Sequence, residues 1–171
     1  MAEIVTVRLI VVDDKFFTRS KSGTVWGTIY FKIANGFFPD NGWTDMVVPF
    51  SCAWLEALIR IANGSTSKEK VRFMDGPFSL DLLANSAGLV EIRFAHKDML
   101  QHSAKAEIDD LLENAISVGE QLRMSCKQRG WPDDDSDTTA LAIATKQASE
   151  VFQKLKRSRT PRCNPKQHLI S

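Results

Sequence analysis

The sequence predicts an α+β domain: an antiparallel sheet of about five to six strands, one short helix between strands, and a C-terminal helical hairpin packed on one sheet face. Three observations predict it. β-branched and aromatic runs with period-two alternation occupy the N-terminal half and more, Gly, Pro, Asn and Asp clusters punctuate them at short intervals, and the apolar period turns helical from about Ser103 onward.

The elements follow in order. Ile4 to Val12 (IVTVRLIVV) sets Thr6 and Arg8 against apolar neighbours and stops at Asp13-Asp14, so it reads as the first strand. After a polar turn through Ser20-Lys21-Ser22-Gly23, the run Thr24 to Ile33 (TVWGTIYFKI) reads as the second, and Asn35-Gly36 is its hairpin turn because both residue types tolerate positive φ. Met46 to Phe50 adds a short strand stopped by Pro49, whose missing N–H suits an edge or a terminus. The chain then becomes helical. Trp54, Leu55, Leu58, Ile59 and Ala62 recur at helical spacing, with Ser51 as N-cap and Asn63-Gly64 as the left-handed end.

Beyond the Ser65 to Lys70 loop, Val71–Met74, Phe78–Ala84 and Leu89–Ala95 read as an antiparallel meander, separated by Asp75-Gly76-Pro77 and Asn85-Ser86-Ala87-Gly88. In the last of these, Val90, Ile92 and Phe94 share one face and Glu91 and Arg93 the other. Ile108, Leu111, Leu112, Ala115, Val118 and Leu122 then form one helical stripe, ended by Gly130 with Pro132 just beyond. The acidic link Asp133 to Asp137 opens a second helix striped by Leu141, Ala144, Ala148, Val151, Phe152 and Leu155, its carboxylates suiting the positive end of the helix dipole. Residues 1–157 are expected to form a single domain. Residues 158–171, aperiodic and carrying Pro161 and Pro165, are expected to form a flexible basic tail.

A chain of 171 residues with 43% hydrophobic and 25% charged content suits one core, and its formal charge of +1 argues against a general nucleic-acid binder, which needs a clustered excess of Lys and Arg. Cys52, Cys126 and Cys163 are widely spaced and lack a CxxC companion, so neither a disulfide framework nor a zinc site is expected and a reducing cytoplasm is the simplest compartment. The apolar N-terminal stretch is interrupted by Arg8 and reads as a strand rather than a signal peptide, and no run approaches the ~18 residues of a membrane span. No cofactor, metal or catalytic residue is expected.

Several residues nevertheless warrant a chemical reading. Cys52 near a helix start could gain thiolate character from the dipole, but a lone free cysteine is commonly a small buried hydrophobe. His96 and His102 straddle a strand-to-helix junction, which places no two rings on one face of a regular element. The Asp133 to Asp137 run lacks the glycine bend and terminal Glu of a calcium loop and reads as a capping linker. Lys154, Lys156, Arg157, Arg159, Arg162 and Lys166 could touch phosphate or simply solvate a helix end and tail.

Two features suit recognition. Asp110, Glu113, Ser117 and Glu120 recur at three to four residues and share a polar helix face that could mimic phosphates toward a basic protein; the plainer reading is an ordinary solvated face. The turn Asp40-Asn41-Gly42-Trp43-Thr44-Asp45 sets Trp43, the residue type most enriched in binding hot spots, between Asp40 and Asp45. There the competing reading is a plug over the sheet edge, with Asp45 capping the turn.

The element order, with Phe38-Pro39-Asp40-Asn41-Gly42-Trp43-Thr44-Asp45, Trp54-Leu55-Glu56-Ala57-Leu58, Phe73-Met74-Asp75-Gly76-Pro77 and Arg129-Gly130-Trp131, resembles small bacterial proteins found with polymorphic or contact-dependent toxin systems. The resemblance covers about residues 1–131. It implies an immunity protein that binds a cognate protein toxin or effector stoichiometrically and blocks its active site or an essential surface, and it transfers no catalytic residue. On that reading Asp40, Trp43, Asp45, Asp110, Glu113 and Glu120 are the candidate partner contacts. The alternative is a small-molecule-binding or enzymatic α+β domain with a cleft between sheet and helices that holds His96 or Cys52. A third reading, an accessory protein using the basic tail on nucleic acid, depends on residues 157–171.

Overall fold

The computed structural model of the chain describes residues 3–131 and 136–160. β1 (Val7–Val12) and β2 (Thr18–Arg19) line one edge of β3 (Val25–Ile33), while β4 (Gly36–Phe38) and β5 (Thr44–Met46) line the other, all antiparallel. The alternation expected of half-buried strands is present: Val7, Leu9, Val11, Val25, Ile29 and Phe31 are buried, while Arg8 and Lys32 are exposed. The hairpin after β3 turns through Ala34-Asn35, one residue earlier than Asn35-Gly36, because Ile33 already pairs with Gly36 and Phe31 with Phe38. That register buries Phe38 and leaves Phe37 outside, and Ala34 takes the positive φ of 37°.

The strand expected over Met46 to Phe50 is instead the end of β5 followed directly by α1 (Val47–Ala62). Pro49 therefore lies in the first helical turn, where a missing N–H costs nothing. Ser51 is a buried interior residue and not the N-cap; Met46 holds that position without a side-chain cap. The helix ends where expected, with Asn63 as cap, but Asn63 keeps a φ of -88° and Gly64 alone takes the left-handed conformation, at φ 76°.

β6 (Lys68–Arg72), β7 (Phe78–Ala84), β8 (Leu89–His96) and β9 (Met99–Glu107) form a second antiparallel sheet in that order. The strands thus divide between two sheets rather than one, and Ile4 bridges them by pairing in parallel with Lys105. β6 begins inside the stretch expected as a loop, and β9 occupies the segment expected to start the long helix. The sequence MLQHSAKAE is rich in helix formers, but pairing with β8 and burial of Ala104 and Ala106 override that propensity.

α2 (Ile108–Gln128) runs along the free edge of β1. The Asn114 carboxamide accepts from Leu9 N–H at 2.7 Å and donates to Leu9 C=O at 3.2 Å, and Gln121 Nε2 donates to Val11 C=O at 3.0 Å. These side chains satisfy edge groups that would otherwise invite another strand. α3 (Ser136–Arg159) packs on α1 and α2, completing the C-terminal helical pair. Gly119 permits the close crossing, because a Cβ there would stand 2.5 Å from Thr145 Oγ1. α3 continues past the boundary expected at residue 157, and Arg159 ion-pairs with Asp109. Residues 161–171, most of the expected tail, and 132–135, most of the acidic link, lie outside the described residues, as does Cys163.

Past the end of α2, Arg129 grips the Asp13 carboxylate through both terminal nitrogens, and its guanidinium lies 4.5 Å from the centre of the Phe17 ring, which stacks on Trp131. The Arg129 bond, then one from Ser125, holds the Asp13 pKa below its ordinary 3.8. A lowered folded-state pKa contributes stability that is present above the unfolded value and lost as pH falls through the folded one. With solvent reaching 30% of Arg129 and 29% of Asp13, the pair is worth about 0.5–1 kcal/mol. Asp13→Asn should therefore lower the thermal midpoint at about pH 7, with the difference from wild type closing below about pH 4. A constant gap between the two melting curves across that range would disprove the linkage.

Candidate partner-binding surface

The turn between β4 and β5 is built around a carboxylate that water does not reach. Asp45 is 0% exposed, and it accepts from Trp43 Nε1 at 3.2 Å, Met46 N–H at 2.6 Å and Asp75 N–H at 3.1 and 3.2 Å. Burying a carboxylate is costly unless donors replace its water, and these groups do so. Because Met46 precedes α1, Asp45 also brings negative charge to the helix N-terminus. Asp45 was expected on the contact surface. It is instead an internal tie between the β4–β5 turn, α1 and the β6–β7 turn.

Trp43 shares in that tie. Its half-buried ring meets Phe78 edge-on at 5.0 Å, and its carbonyl accepts from Ile29 N–H at 2.7 Å. Gly76, at φ 73°, lies beneath it; a Cβ there would stand 3.0 Å from the Phe78 ring and 3.3 Å from Trp43 Cη2. Trp43 thus packs as the plug reading has it, with part of its ring still exposed. Of this turn Asp40 alone among the candidate residues stays exposed, its carboxylate accepting from Asn41 N–H at 2.7 Å.

On α2 the expected face is present: Asp110, Glu113, Ser117 and Glu120 are all exposed. Cations border it at both ends. Asp110 and Glu113 line a depression of about 260 Å³ with Arg8, and Glu120 lines a groove against α3 with Arg123 and Lys146. Asp109, one residue away, is buried against Arg159. The Asp40 turn and the α2 face do not meet, since Thr28 of β3 pairs with Val12 of β1 on one side and Thr44 of β5 on the other, and α2 lies beyond β1.

Neither side chain offered for a catalytic cleft is placed for one. The Cys52 thiol is pushed up to about 12, first by burial and then by Glu56 and Asp137, so it holds its proton and is a poor nucleophile. His96 stacks on Phe78 at 4.8 Å, and it shares the β8–β9 hairpin with His102 instead of flanking a helix start. Neither residue lines the depressions along α2 and α3. Among the described residues no group of three or more His, Cys, Asp or Glu side chains converges as a metal site, and no helix is long and apolar enough to cross a membrane.

No known protein family, characterised protein or solved structure matches the chain.

One surface went unnoticed in the sequence. The face of β3 turned away from the core carries Trp26, Tyr30 and Lys32, with Arg8 and Ile10 beside them on β1 and Phe37 on β4. Its signal was the period-two spacing of Trp26, Thr28, Tyr30 and Lys32, which separates them from the inward Val25, Ile29 and Phe31.

Proposed function

We propose that the chain is a cytoplasmic bacterial binding protein that neutralises a cognate toxin or effector by forming a stoichiometric complex. The observation that supports this most directly is the exposed row Asp110, Glu113 and Glu120 on a helix held rigid by Asn114 and Gln121 on one side and by α3 on the other. A fixed row of carboxylates steers a basic partner and costs little ordering entropy on binding. The immunity role itself comes from the resemblance carried by the Phe38 to Asp45, Trp54 to Leu58, Phe73 to Pro77 and Arg129 to Trp131 segments.

The test is co-expression with the product of the neighbouring gene, followed by size-exclusion chromatography and calorimetry. A one-to-one complex is expected, weakened roughly 10- to 100-fold by Asp110→Lys/Glu113→Lys. Failure of the pair to associate would remove the neutralising reading, while unchanged affinity in the double variant would remove α2 as the contact. Trp43→Ala is unsuitable as a probe, because it disturbs the Asp45 network before it disturbs any partner.

A further inference from the structure

The outer face of the first sheet is an aromatic shelf with two cations at one end that stand opposite each other. In register across the strands, Arg8 stands opposite Lys32, and Lys32 opposite Phe37; the next row is Ile10 opposite Tyr30, and Trp26 lies two rows further along β3. Phe37 is 40% exposed, Arg8 and Lys32 are exposed, and Ile10, Tyr30 and Trp26 are half-buried. The packed elements α1 and α2 lie behind this layer and along its β1 edge.

Like charges directly opposite on neighbouring antiparallel strands repel, because their Cβ atoms are only about 5 Å apart. Among the described residues no carboxylate lies within 4.0 Å of either cation. Asp14 is on the same face but accepts from the Thr28 hydroxyl at 3.2 Å and from Phe16 N–H at 2.8 Å. Asp110 and Glu113 share a depression with Arg8 without pairing with it, and Lys32, one strand further in, does not line it.

We infer that this face docks a partner protein whose contact surface presents a carboxylate to Arg8 and Lys32, flanked by apolar side chains that cover Tyr30, Ile10 and Phe37. The inserted carboxylate would accept from both cations and relieve their repulsion. Tyr and Trp supply large contact area at small entropic cost and are the residue types that dominate binding energy. Protein fits better than nucleic acid, because among the described residues only two cations stand on the face, too few to follow a phosphate backbone. The inference rests on the reading of the chain as a binding protein, and on that much of it alone.

The test uses a phage-displayed library of roughly 12-residue peptides, panned on the intact protein and counter-selected on Arg8→Ala/Lys32→Ala, whose exposed positions leave the core untouched. Enriched peptides are expected to share an Asp or Glu beside Trp, Phe or Leu. The synthetic consensus peptide should bind wild type and lose about tenfold or more in affinity on Arg8→Ala/Lys32→Ala or Tyr30→Ala, with Arg72→Ala, an exposed cation of the second sheet, without effect. Thermal melts check that each variant is folded, and the double variant alone suffices if Tyr30→Ala is not. No enrichment over the double variant, enriched peptides without a carboxylate, or affinity unchanged by the substitutions overturns the inference. So would two other occupants: labelled oligothymidylate binding that needs Arg8 and Lys32, or sedimentation showing a dimer that those substitutions dissolve. The selection uses no cognate partner, so its failure is separable from that of the neutralising reading. A neighbour complex indifferent to Arg8→Ala/Lys32→Ala leaves that reading standing and removes the sheet face.

Discussion

Phe31→Ala is expected to destabilise the protein by about 3–5 kcal/mol. Phe31 is 0% exposed, and its ring meets those of Trp54 at 5.0 Å, Phe94 at 5.8 Å, Phe50 at 6.0 Å and Phe73 at 6.2 Å, each in an edge-to-face arrangement. Phe50 and Trp54 belong to α1, Phe94 to the second sheet, and Phe73 to the turn between β6 and β7. Removing Phe31 therefore opens a cavity where both sheets and the helix converge, and each neighbour is fixed by the others, so the site cannot collapse. Urea denaturation monitored by tryptophan fluorescence gives the measurement. A loss under about 1 kcal/mol would mean that the two sheets are held together elsewhere.

Asp45→Ala should cost about 3 kcal/mol, because it leaves the N–H groups of Met46 and Asp75 and the indole N–H of Trp43 without their acceptor. Bonds to a charged acceptor are the stronger kind, and buried donors left bare carry their full desolvation cost. Asp45→Asn keeps one acceptor oxygen but turns an amide N–H₂ toward donors, so it should fall between Ala and wild type. The two variants also separate the roles of this turn. If Asp45→Ala lowers the midpoint of unfolding while the folded variant still binds its partner as wild type does, Asp45 acts in the fold and not in recognition. A stability equal to wild type would overturn the assignment of this carboxylate as an internal tie.

Period and punctuation made the fold class, the C-terminal helical pair and most strand cores legible: TVWGTIYFKI, FSLDLLA and LVEIRF pair much as their alternation requires. The α2 stripe and its polar face were likewise readable, since a helix of period 3.6 sets Asp110, Glu113 and Glu120 outward once Leu111, Leu112 and Ala115 face in. Where local preference and long-range pairing disagreed, pairing prevailed. Met99 to Glu107 has the composition of a helix but supplies the fourth strand of a sheet whose edge β8 would otherwise expose, and Lys68 to Lys70 joins a strand through its pairing with β7.

The chemistry of the surface divides along the same line. An Asp beside a Trp in a glycine-rich turn looks identical in sequence whether it faces solvent or the interior. Only the approach of Asp75 N–H from the neighbouring turn makes Asp45 a buried acceptor, and that contact spans a separation of 30 residues. Arg8 and Lys32 are likewise ordinary outward residues until the register of β1 on β3 sets them opposite one another. Which residues favour strand, helix or turn, and which face of each element is apolar, can be read along the chain, because those depend on neighbours a few positions away. Tertiary structure alone decided which carboxylates are buried, which cations are juxtaposed and which aromatic face stays open, because those depend on groups that the chain brings together only after long loops close.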